Sequence, residues 1–551
     1  MQNDSTESNS GRERPDSGFF GLLRAAAVVA VAVGGCGSVG LLFRAGQRGD
    51  SRFLLALFAI WVLSPFVALG LASRLSKGWS VLVRATLHGV TLIISVGSLA
   101  IYANVVSMSP GSRAAFPFVV VPLGAWLLMT MVVPLAALIS CRTSRLRRVM
   151  WLIKAVAATA MLGVLGIAIL LGLLLLDHNR DTILPAPTGP FAVGRTTYAW
   201  SDAANTDPLA PQPGTQRELI AWIWYPAAPR QSSQPFDDYL PVPWRTAVQR
   251  QLGTLLTQFL TRDLARVQAH SIRDAEVAPQ QRSYPVVFMR AGLAALTADY
   301  TTLAEDLASH GYVVAGFDAP YRSFVVVFPD GRVIARAPRN NADLVSGPQL
   351  EQLATRLEQA WSADMSFALE QLERLNASDP SGRFLGRLDL QRVGVFGHSL
   401  GGAEALQFCH DDSRCKAGID MDGLPLGNVI TDGVTRPFMF LLSDHRGEPE
   451  AETRPVEANI RSIYDRLPGD RRLEIVIRGA NHFRFSDDGA MLKVPLVLSA
   501  MQTLGIVHLD GRRQVAVTAH CIYTFFDVYL KGAPASELKS QPEYPEIEYV
   551  Q

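Results

Sequence analysis

Residues 392–406 read RVGVFGHSLGGAEAL, a short apolar run followed by Gly-His-Ser-Leu-Gly and then by residues that favour a helix. This order predicts a strand, a tight turn and a helix, with Ser399 at the turn. Glycines on both sides of the serine permit the strained backbone of a nucleophile elbow. Ser399 is therefore the candidate nucleophile, and the alternative interpretation is a plain tight turn.

Short apolar runs alternate with helical patterns on both sides of this motif. The predicted strands include 284–289, 312–318, 392–396, 417–422, 437–443 and 473–477, and the predicted helices include 249–267, 301–311 and 348–376. Buried strands alternating with helices predict an α/β domain with a mostly parallel central sheet covered on both faces. We expect this α/β-hydrolase domain at 217–535, after a Pro-rich linker at 177–216 and before a C-terminal tail at 536–551.

A catalytic serine requires a base, and folds with this motif place the acid and then the histidine after the serine. Four histidines follow the candidate acids: His445, His482, His508 and His520. His482 comes directly after the predicted strand at 473–477, where a base can reach the carboxyl edge of the sheet. His445 lies in a loop that looks solvated, so His482 is the candidate base.

Three aspartates near strand ends are candidates for the acid. Asp422 closes the strand AGIDMD and precedes a glycine, whereas Asp420 lies one repeat deeper in the same strand. Asp444 ends the following strand and remains a serious rival. The loop after the strand YPVVFM offers a donor to the oxyanion, because Gly292 permits close approach and the Leu293 N–H can point inward.

The first third of the chain is apolar. Five segments are long enough to span a bilayer and contain no charged residue: 25–43, 53–72, 85–103, 115–139 and 155–176. They predict an all-α transmembrane bundle of about five helices at 19–176, after a cytoplasmic tail at 1–18. The basic cluster Arg142–Arg148 favours a cytoplasmic loop, which places the C-terminal domain of this multi-pass cell-membrane protein on the extracytoplasmic side.

Composition excludes several other classes of protein. A net charge of +1 gives no field that favours nucleic acid, and the five cysteines form no spacing typical of zinc, so we expect no metal and no cofactor. Cys409 and Cys415 form either a disulfide or two separate buried residues. An extracytoplasmic location would permit the disulfide.

The C-terminal part resembles the platelet-activating-factor acetylhydrolase family of α/β-hydrolases. The resemblance is carried, in order, by WYP at 224–226, YPVVFMRAGL, DLASHGYVVAGFD, GRLDLQRVGVFGHSLGGAEAL, CKAGIDMDG and GANHFRFSD. It implies a calcium-independent serine esterase that removes short or oxidised acyl groups from phospholipids. It also implies the triad Ser399, Asp422 and His482, with the N–H groups of Leu293 and Leu400 as oxyanion donors.

The chain departs from the family in two ways. Arg290-Ala291-Gly292 stands where the family often has Ser-His-Gly, and the membrane segments have no counterpart in the secreted enzyme. The expected partners are an ester or phospholipid substrate and membrane lipids. The alternative functions are a general esterase or lipase acting on other esters, and a non-catalytic membrane receptor or scaffold.

Overall fold

The computed structural model describes most of the chain. The described residues are 19–46, 52–108, 115–139, 172, 174–230, 235–253, 257, 261–345, 347–446, 450–491, 509–539 and 544–550. The chain divides into two units, Met1–Leu170 and Leu171–Gln551, and each is described by itself.

The described part of the N-terminal unit is helical. Its helices are α1 (Phe19–Gly46), α2 (Arg52–Leu75), α3 (Val81–Met108) and α4 (Ala115–Ile139). Within these described residues, α1, α2 and α3 contain stretches long and apolar enough to cross a membrane, and the apolar part of α4, Val120–Ala136, is shorter. Helices α2 and α4 are joined by a hydrogen bond from Trp126 to Ser64 at 3.0 Å.

The expectation of about five membrane helices is therefore met only in part. The first four predicted segments all lie in helices. The fifth, 155–176, falls almost entirely outside the described residues, as does the basic cluster Arg142–Arg148.

The C-terminal unit is built on one large sheet. Its strands are β1 (Thr182–Ile183), β2 (Ala192–Thr206), β3 (Gln216–Ala227), β4 (Phe236–Asp238), β5 (Val267–Arg273), β6 (Tyr284–Arg290), β7 (Val313–Asp318), β10 (Leu388–His398), β11 (Cys415–Met421), β12 (Phe438–Leu442), β13 (Arg472–Ile477) and β14 (Ile547–Tyr549). A separate hairpin joins β8 (Val325–Val327) and β9 (Val333–Ala335), and its turn contains Gly331 with a φ of 86°.

Strand order explains where a site can form. In the described residues it is β1-β5-β2-β3-β7-β6-β10-β11-β12-β13-β14, with β4 beside β5. The six strands from β7 to β13 in that order are parallel, so their carboxyl ends meet at one edge. The predicted mostly parallel sheet is confirmed.

Helices cover both faces of this sheet. They are α5 (Val242–Leu252), α6 (Thr301–Ser309), α7 (Pro348–Ala377), α8 (Leu400–Asp411), α9 (Val429–Asp432), α10 (Glu450–Tyr464), α11 (Asp488–Met491) and α12 (Gly511–Lys531). Leu307 of α6 and Ile522 of α12 belong to the buried core on one face, and Leu369 of α7 and Ile463 of α10 belong to the core on the other. Burying these apolar stripes against the sheet is the main stabilising contribution of such a layered fold.

A disulfide links the end of α8 to the start of β11. It joins Cys409 to Cys415, whose Cα atoms lie 5.1 Å apart. The sequence left open whether these cysteines are bridged or separate, and the structure has them bridged.

Three segments differ from the sequence-based boundaries. The stretch 177–216, expected to be a linker, contributes β1 and β2 to the sheet, and the expected tail at 536–551 contributes β14. An early strand at 192–200 fits the sequence of the first segment, and β2 covers it, with Val193 and Trp200 buried. The polar composition concealed β1 and β14, which are short. The helix predicted at 249–267 is interrupted at Gly253, whose φ of 83° ends α5. Thr257 is helical again, and the prediction is wrong at its C-terminal end, because β5 begins at Val267. Residues 254–256 and 258–260 lie outside the described part.

Candidate active site

Ser399 occupies the turn between β10 and α8. Its φ of 57° is in the left-handed region, which non-glycine residues rarely adopt and which is typical of functional turns. A Cβ atom at Gly397 would lie 2.0 Å from the Gly401 carbonyl oxygen, so only glycine permits this tight turn. The Ser399 N–H donates to the Met421 carbonyl at 2.9 Å, which fixes the serine to the end of the neighbouring strand.

The three predicted triad side chains form one hydrogen-bonded chain. Ser399 Oγ lies 3.2 Å from His482 Nε2, and His482 Nδ1 lies 2.7 Å from Asp422 Oδ2. With the proton on Nδ1 donated to the carboxylate, Nε2 is free to accept from the serine hydroxyl. This is the arrangement in which a histidine can act as a general base toward a serine.

Asp422 is ionised despite its burial. Burial alone would raise its pKa, but hydrogen bonds from His445 and His482 outweigh that effect and hold the pKa well below its usual range. The Ser443 N–H and Oγ–H also donate to this carboxylate, at 2.8 and 2.7 Å. An ionised acid next to His482 stabilises the imidazolium that forms when the base takes up a proton.

Asp420, one repeat deeper in β11, has a different environment. Its Oδ1 accepts from the Gly423 N–H at 2.8 Å, and a Cβ atom at Gly402 would lie 1.8 Å from the same oxygen. Burial raises the pKa of Asp420 to about 8, so it is mostly protonated at neutral pH. Asp420 thus supports the turn and does not contact the histidine chain.

Asp444, the rival acid, is bound elsewhere. It forms two hydrogen bonds of 2.7 Å with Arg446 and accepts from the Gly479 N–H at 2.7 Å. The hydrogen bond from Arg446 lowers the pKa of Asp444 to about 2. Of the aspartates considered from the sequence, Asp422 is the one that the structure joins to His482.

The loop that carries His482 is held by α12. The Gln514 side chain accepts from the Asn481 N–H at 2.9 Å and donates to the Asn481 carbonyl at 2.8 Å. The Asn481 side chain in turn accepts from the Phe483 N–H at 3.1 Å. Both backbone groups that precede His482 are thereby fixed, which limits the positions of its ring.

A second chain of hydrogen bonds supports the loop after β6. The Gly292 N–H donates to the Tyr300 hydroxyl at 3.1 Å, and that hydroxyl lies 2.7 Å from His398 Nδ1. Burial lowers the pKa of His398 to about 3, so the ring is neutral and accepts the tyrosine proton. The His398 ring also packs beside the base, with its centre 4.7 Å from that of the His482 ring.

The two predicted oxyanion residues, Leu293 and Leu400, line one cleft beside Ser399. Its inner wall contains Arg290, which is buried, lies 3.8 Å from the Trp361 ring centre and donates to Glu404 at 3.0 Å. Arg290, which stands where the family often has serine, therefore fixes the start of the loop after β6 through these buried contacts.

Two residues of the site were missed in the sequence. Ser443 and His445 follow β12, and both contact Asp422 at the end of the adjacent strand β11. The sequence contained a signal for these contacts, since polar residues directly after neighbouring parallel strands meet at one edge of the sheet. The solvated appearance of the loop concealed it.

Comparison with known proteins identifies the family of the chain. The family model described as platelet-activating factor acetylhydrolase, isoform II, matches residues 176–531. The chain is 24% identical over 334 residues to platelet-activating factor acetylhydrolase of Cavia porcellus, covering 57% of this chain and 71% of that one. It is 22% identical over 392 residues to a probable 1-alkyl-2-acetylglycerophosphocholine esterase of Arthroderma benhamiae, covering 67% and 94%.

A solved structure is also similar. The ferulic acid esterase from Streptomyces cinnamoneus is 27% identical, with a TM-score of 0.55, and the match covers 68% of this chain and all of that one.

Proposed function

Because the chain belongs to the platelet-activating factor acetylhydrolase, isoform II, family and is an ester hydrolase, we propose that Ser399, His482 and Asp422 are its catalytic triad. The observation that carries the proposal is the hydrogen-bonded chain of 3.2 and 2.7 Å that begins at a serine with a positive φ.

The reaction then proceeds in two steps. Ser399 Oγ attacks the ester carbonyl carbon while its proton passes to His482 Nε2. The negative charge that develops on the carbonyl oxygen is stabilised by the N–H groups of Leu293 and Leu400. The intermediate collapses, the leaving alcohol takes the proton from His482, and an acyl-enzyme remains. Water then attacks the acyl carbon and gives a proton to His482. The second intermediate collapses, the acid leaves, and Ser399 Oγ takes the proton back from His482, which regenerates both residues.

We propose phospholipids with short or oxidised acyl groups as the substrates. The relatives named above are an acetylhydrolase and an esterase of 1-alkyl-2-acetylglycerophosphocholine. The cleft beside Ser399 supports this, because its inner wall consists of Trp361, Phe317 and Arg290. Arg290 is fixed by Glu404 and by the Phe317 carbonyl at 2.9 Å. A wall held in this way leaves little room for a long acyl chain.

A general esterase activity is the second candidate. Similarity to a ferulic acid esterase at 27% identity, over the whole of that chain, favours it. Parallel kinetics on 1-alkyl-2-acetylglycerophosphocholine, its long-acyl counterpart and a feruloyl ester separate the two. A kcat/KM at least tenfold higher for the acetyl phospholipid supports the first proposal, and a preference for the feruloyl ester supports the second.

We also propose that the apolar helices anchor the enzyme in a membrane, with the catalytic unit on the extracytoplasmic side. Support comes from the three apolar helices of spanning length in the described residues. The Cys409–Cys415 disulfide supports the location, because disulfides persist in oxidising compartments. A reporter that is active only in the cytoplasm, fused after Gln551, should stay silent. An active reporter would show that the catalytic unit faces the cytoplasm.

The decisive experiment on the triad uses Ser399→Ala. We expect kcat on p-nitrophenyl acetate to fall by about three orders of magnitude or more, since the nucleophile is lost. Labelling by a fluorophosphonate probe should disappear as well. Unchanged thermal unfolding would show that the variant is folded. Activity that persists in the pure variant contradicts the proposal, and so does labelling of a different serine.

A further inference from the structure

The Asp422 carboxylate binds two histidines. Oδ2 lies 2.7 Å from His482 Nδ1, and Oδ1 lies 2.8 Å from His445 Nε2. The backbone N–H and hydroxyl of Ser443 donate to the same two oxygens. Four donors thus occupy the roughly four acceptor positions of one carboxylate.

On the basis of the proposed triad, we propose that His445 is a positioning residue for catalysis. It fixes the orientation of Asp422, and its protonated form competes with His482 for the negative charge of Asp422. This assigns a role in the pH dependence of the reaction to a residue outside the triad.

Geometry supports the positioning role. The Asp422 side chain is 1% exposed, so its orientation is set by protein donors and not by water. The donors on Oδ1 are the Ser443 N–H and His445, while those on Oδ2 are the Ser443 hydroxyl and His482. Removal of the His445 donor leaves one buried lone pair unsatisfied and allows the carboxylate to rotate away from His482.

Exposure supports the role in pH dependence. The His445 side chain is 37% exposed, so it can exchange protons with solvent, whereas the carboxylate that it contacts is buried. A protonated His445 places a positive charge on the far side of Asp422. That charge disfavours protonation of His482, because both rings then share one negative charge.

The other charged groups around His445 form their own pairs. Asp444 and Arg446, on the same loop, are joined at 2.7 Å, and Arg446 also lies 3.9 Å from Glu548 of β14. Among the residues that the structure describes, Asp422 and His482 face His445 from β11 and from the loop after β13. Both histidines therefore contribute to the charge balance at Asp422.

The test compares His445→Ala with His445→Gln in the full-length protein. Glutamine keeps an N–H donor at a similar reach but carries no titratable proton. We expect His445→Ala to lower kcat about tenfold, with KM changed less than twofold, because a hydrogen bond to a buried charge is lost. We expect His445→Gln to restore most of kcat.

The pH profile distinguishes positioning from simple packing. The acid limb of kcat/KM reports protonation of His482 in the free enzyme. Since a charged His445 disfavours that protonation, His445→Gln, which keeps the donor but not the charge, should move the acid limb upward by about half a pH unit or more. His410→Gln is the matched control, because His410 pairs with Asp411 at the end of α8, and it should leave the limb unchanged.

Two outcomes overturn the inference. One is a His445→Gln profile that coincides with that of the wild type, and the other is a His445→Ala variant with normal kcat. If His445→Ala does not fold, the His445→Gln profile decides alone. Ser399→Ala, measured in parallel, keeps the two proposals apart: an active Ser399→Ala contradicts the triad, whereas an inactive one with normal His445 variants contradicts only this inference.

Discussion

At the scale of single residues, the site depends on a buried charge. An isolated carboxylate in the position of Asp422 would be costly, and the donors around it make ionisation favourable. Its backbone φ of 57° places it at the turn where β11 ends. Asp422 therefore meets His482 at a fixed position, while Asp444 is neutralised by Arg446.

We predict that Asp422→Asn lowers kcat by about 10³–10⁴-fold, because an amide cannot stabilise the imidazolium. Asp444→Asn is the matched control and should keep kcat within about threefold. Both are checked by steady-state kinetics on a soluble acetyl ester. The reverse order of effects would move the catalytic acid to Asp444.

Asp420 makes the stability of the protein depend on pH. Its folded pKa of about 8 lies above the value of about 3.9 expected in an unfolded chain. The stabilisation associated with its protonated form is complete below the unfolded pKa and is lost as the pH rises through about 8. We predict that Asp420→Asn, which cannot ionise, loses less Tm between pH 5 and pH 9 than the wild type does, by about 2 °C or more. Parallel curves for the two proteins would contradict the assignment.

How far the site was predictable depended on the residue. Ser399 was predicted from its glycine-flanked turn between a strand and a helix, and His482 from its place directly after a strand. Position alone did not select Asp422, because Asp444 also follows a strand, and the family resemblance decided between them. The contact of His445 with Asp422 was not predicted, because the loop that carries His445 looked solvated. The contact of Gln514 with Asn481 was not predicted, because it depends on how a distant helix folds back, and no pattern in one sequence records such a contact.

At the scale of elements, α12 acts as a support for the catalytic loop. Gln514 lies in its first turns and is fully buried, with both polar atoms of its amide bound to Asn481. The sequence predicted neither this helix nor its contact. By contrast, α6 and α7 were predicted from their helical patterns, and the parallel strands from their short apolar runs.

We predict that Gln514→Leu lowers kcat about tenfold with little change in KM, because the loop that holds His482 loses two hydrogen bonds. Thr518→Val, one turn later on α12, removes only a hydrogen bond to the Gln514 carbonyl and is the control. It should affect Tm but not kcat. Equal effects of both variants on kcat would mean that α12 acts only through stability.

At the scale of the whole molecule, the chain combines an apolar helical unit with an enzymatic unit. The boundary lies at residues 170 and 171, close to the start of the family match at 176. The residues of the proposed triad all lie within the C-terminal unit. The helical unit is thus expected to determine where the reaction occurs and not whether it occurs.

We predict that a protein consisting of residues 174–551 hydrolyses a soluble acetyl ester within about threefold of the full-length rate. Its rate on acetyl phospholipid in dilute vesicles should fall by about tenfold or more, because the enzyme no longer concentrates at the bilayer. Both rates are measured on purified protein. A shortened protein that is folded but inactive on the soluble ester would show that the helices contribute to catalysis.

The strand β14 has a consequence for handling the protein. It lies antiparallel to β13. The Val550 N–H donates to the Glu474 carbonyl at 3.0 Å, and the Arg478 N–H donates to the Glu546 carbonyl at 2.8 Å. Without these last residues, β13 would present unpaired backbone groups along an open edge, and such edges pair with other chains. Recombinant versions trimmed before residue 544 would therefore form aggregates in storage, even though every catalytic side chain is still present.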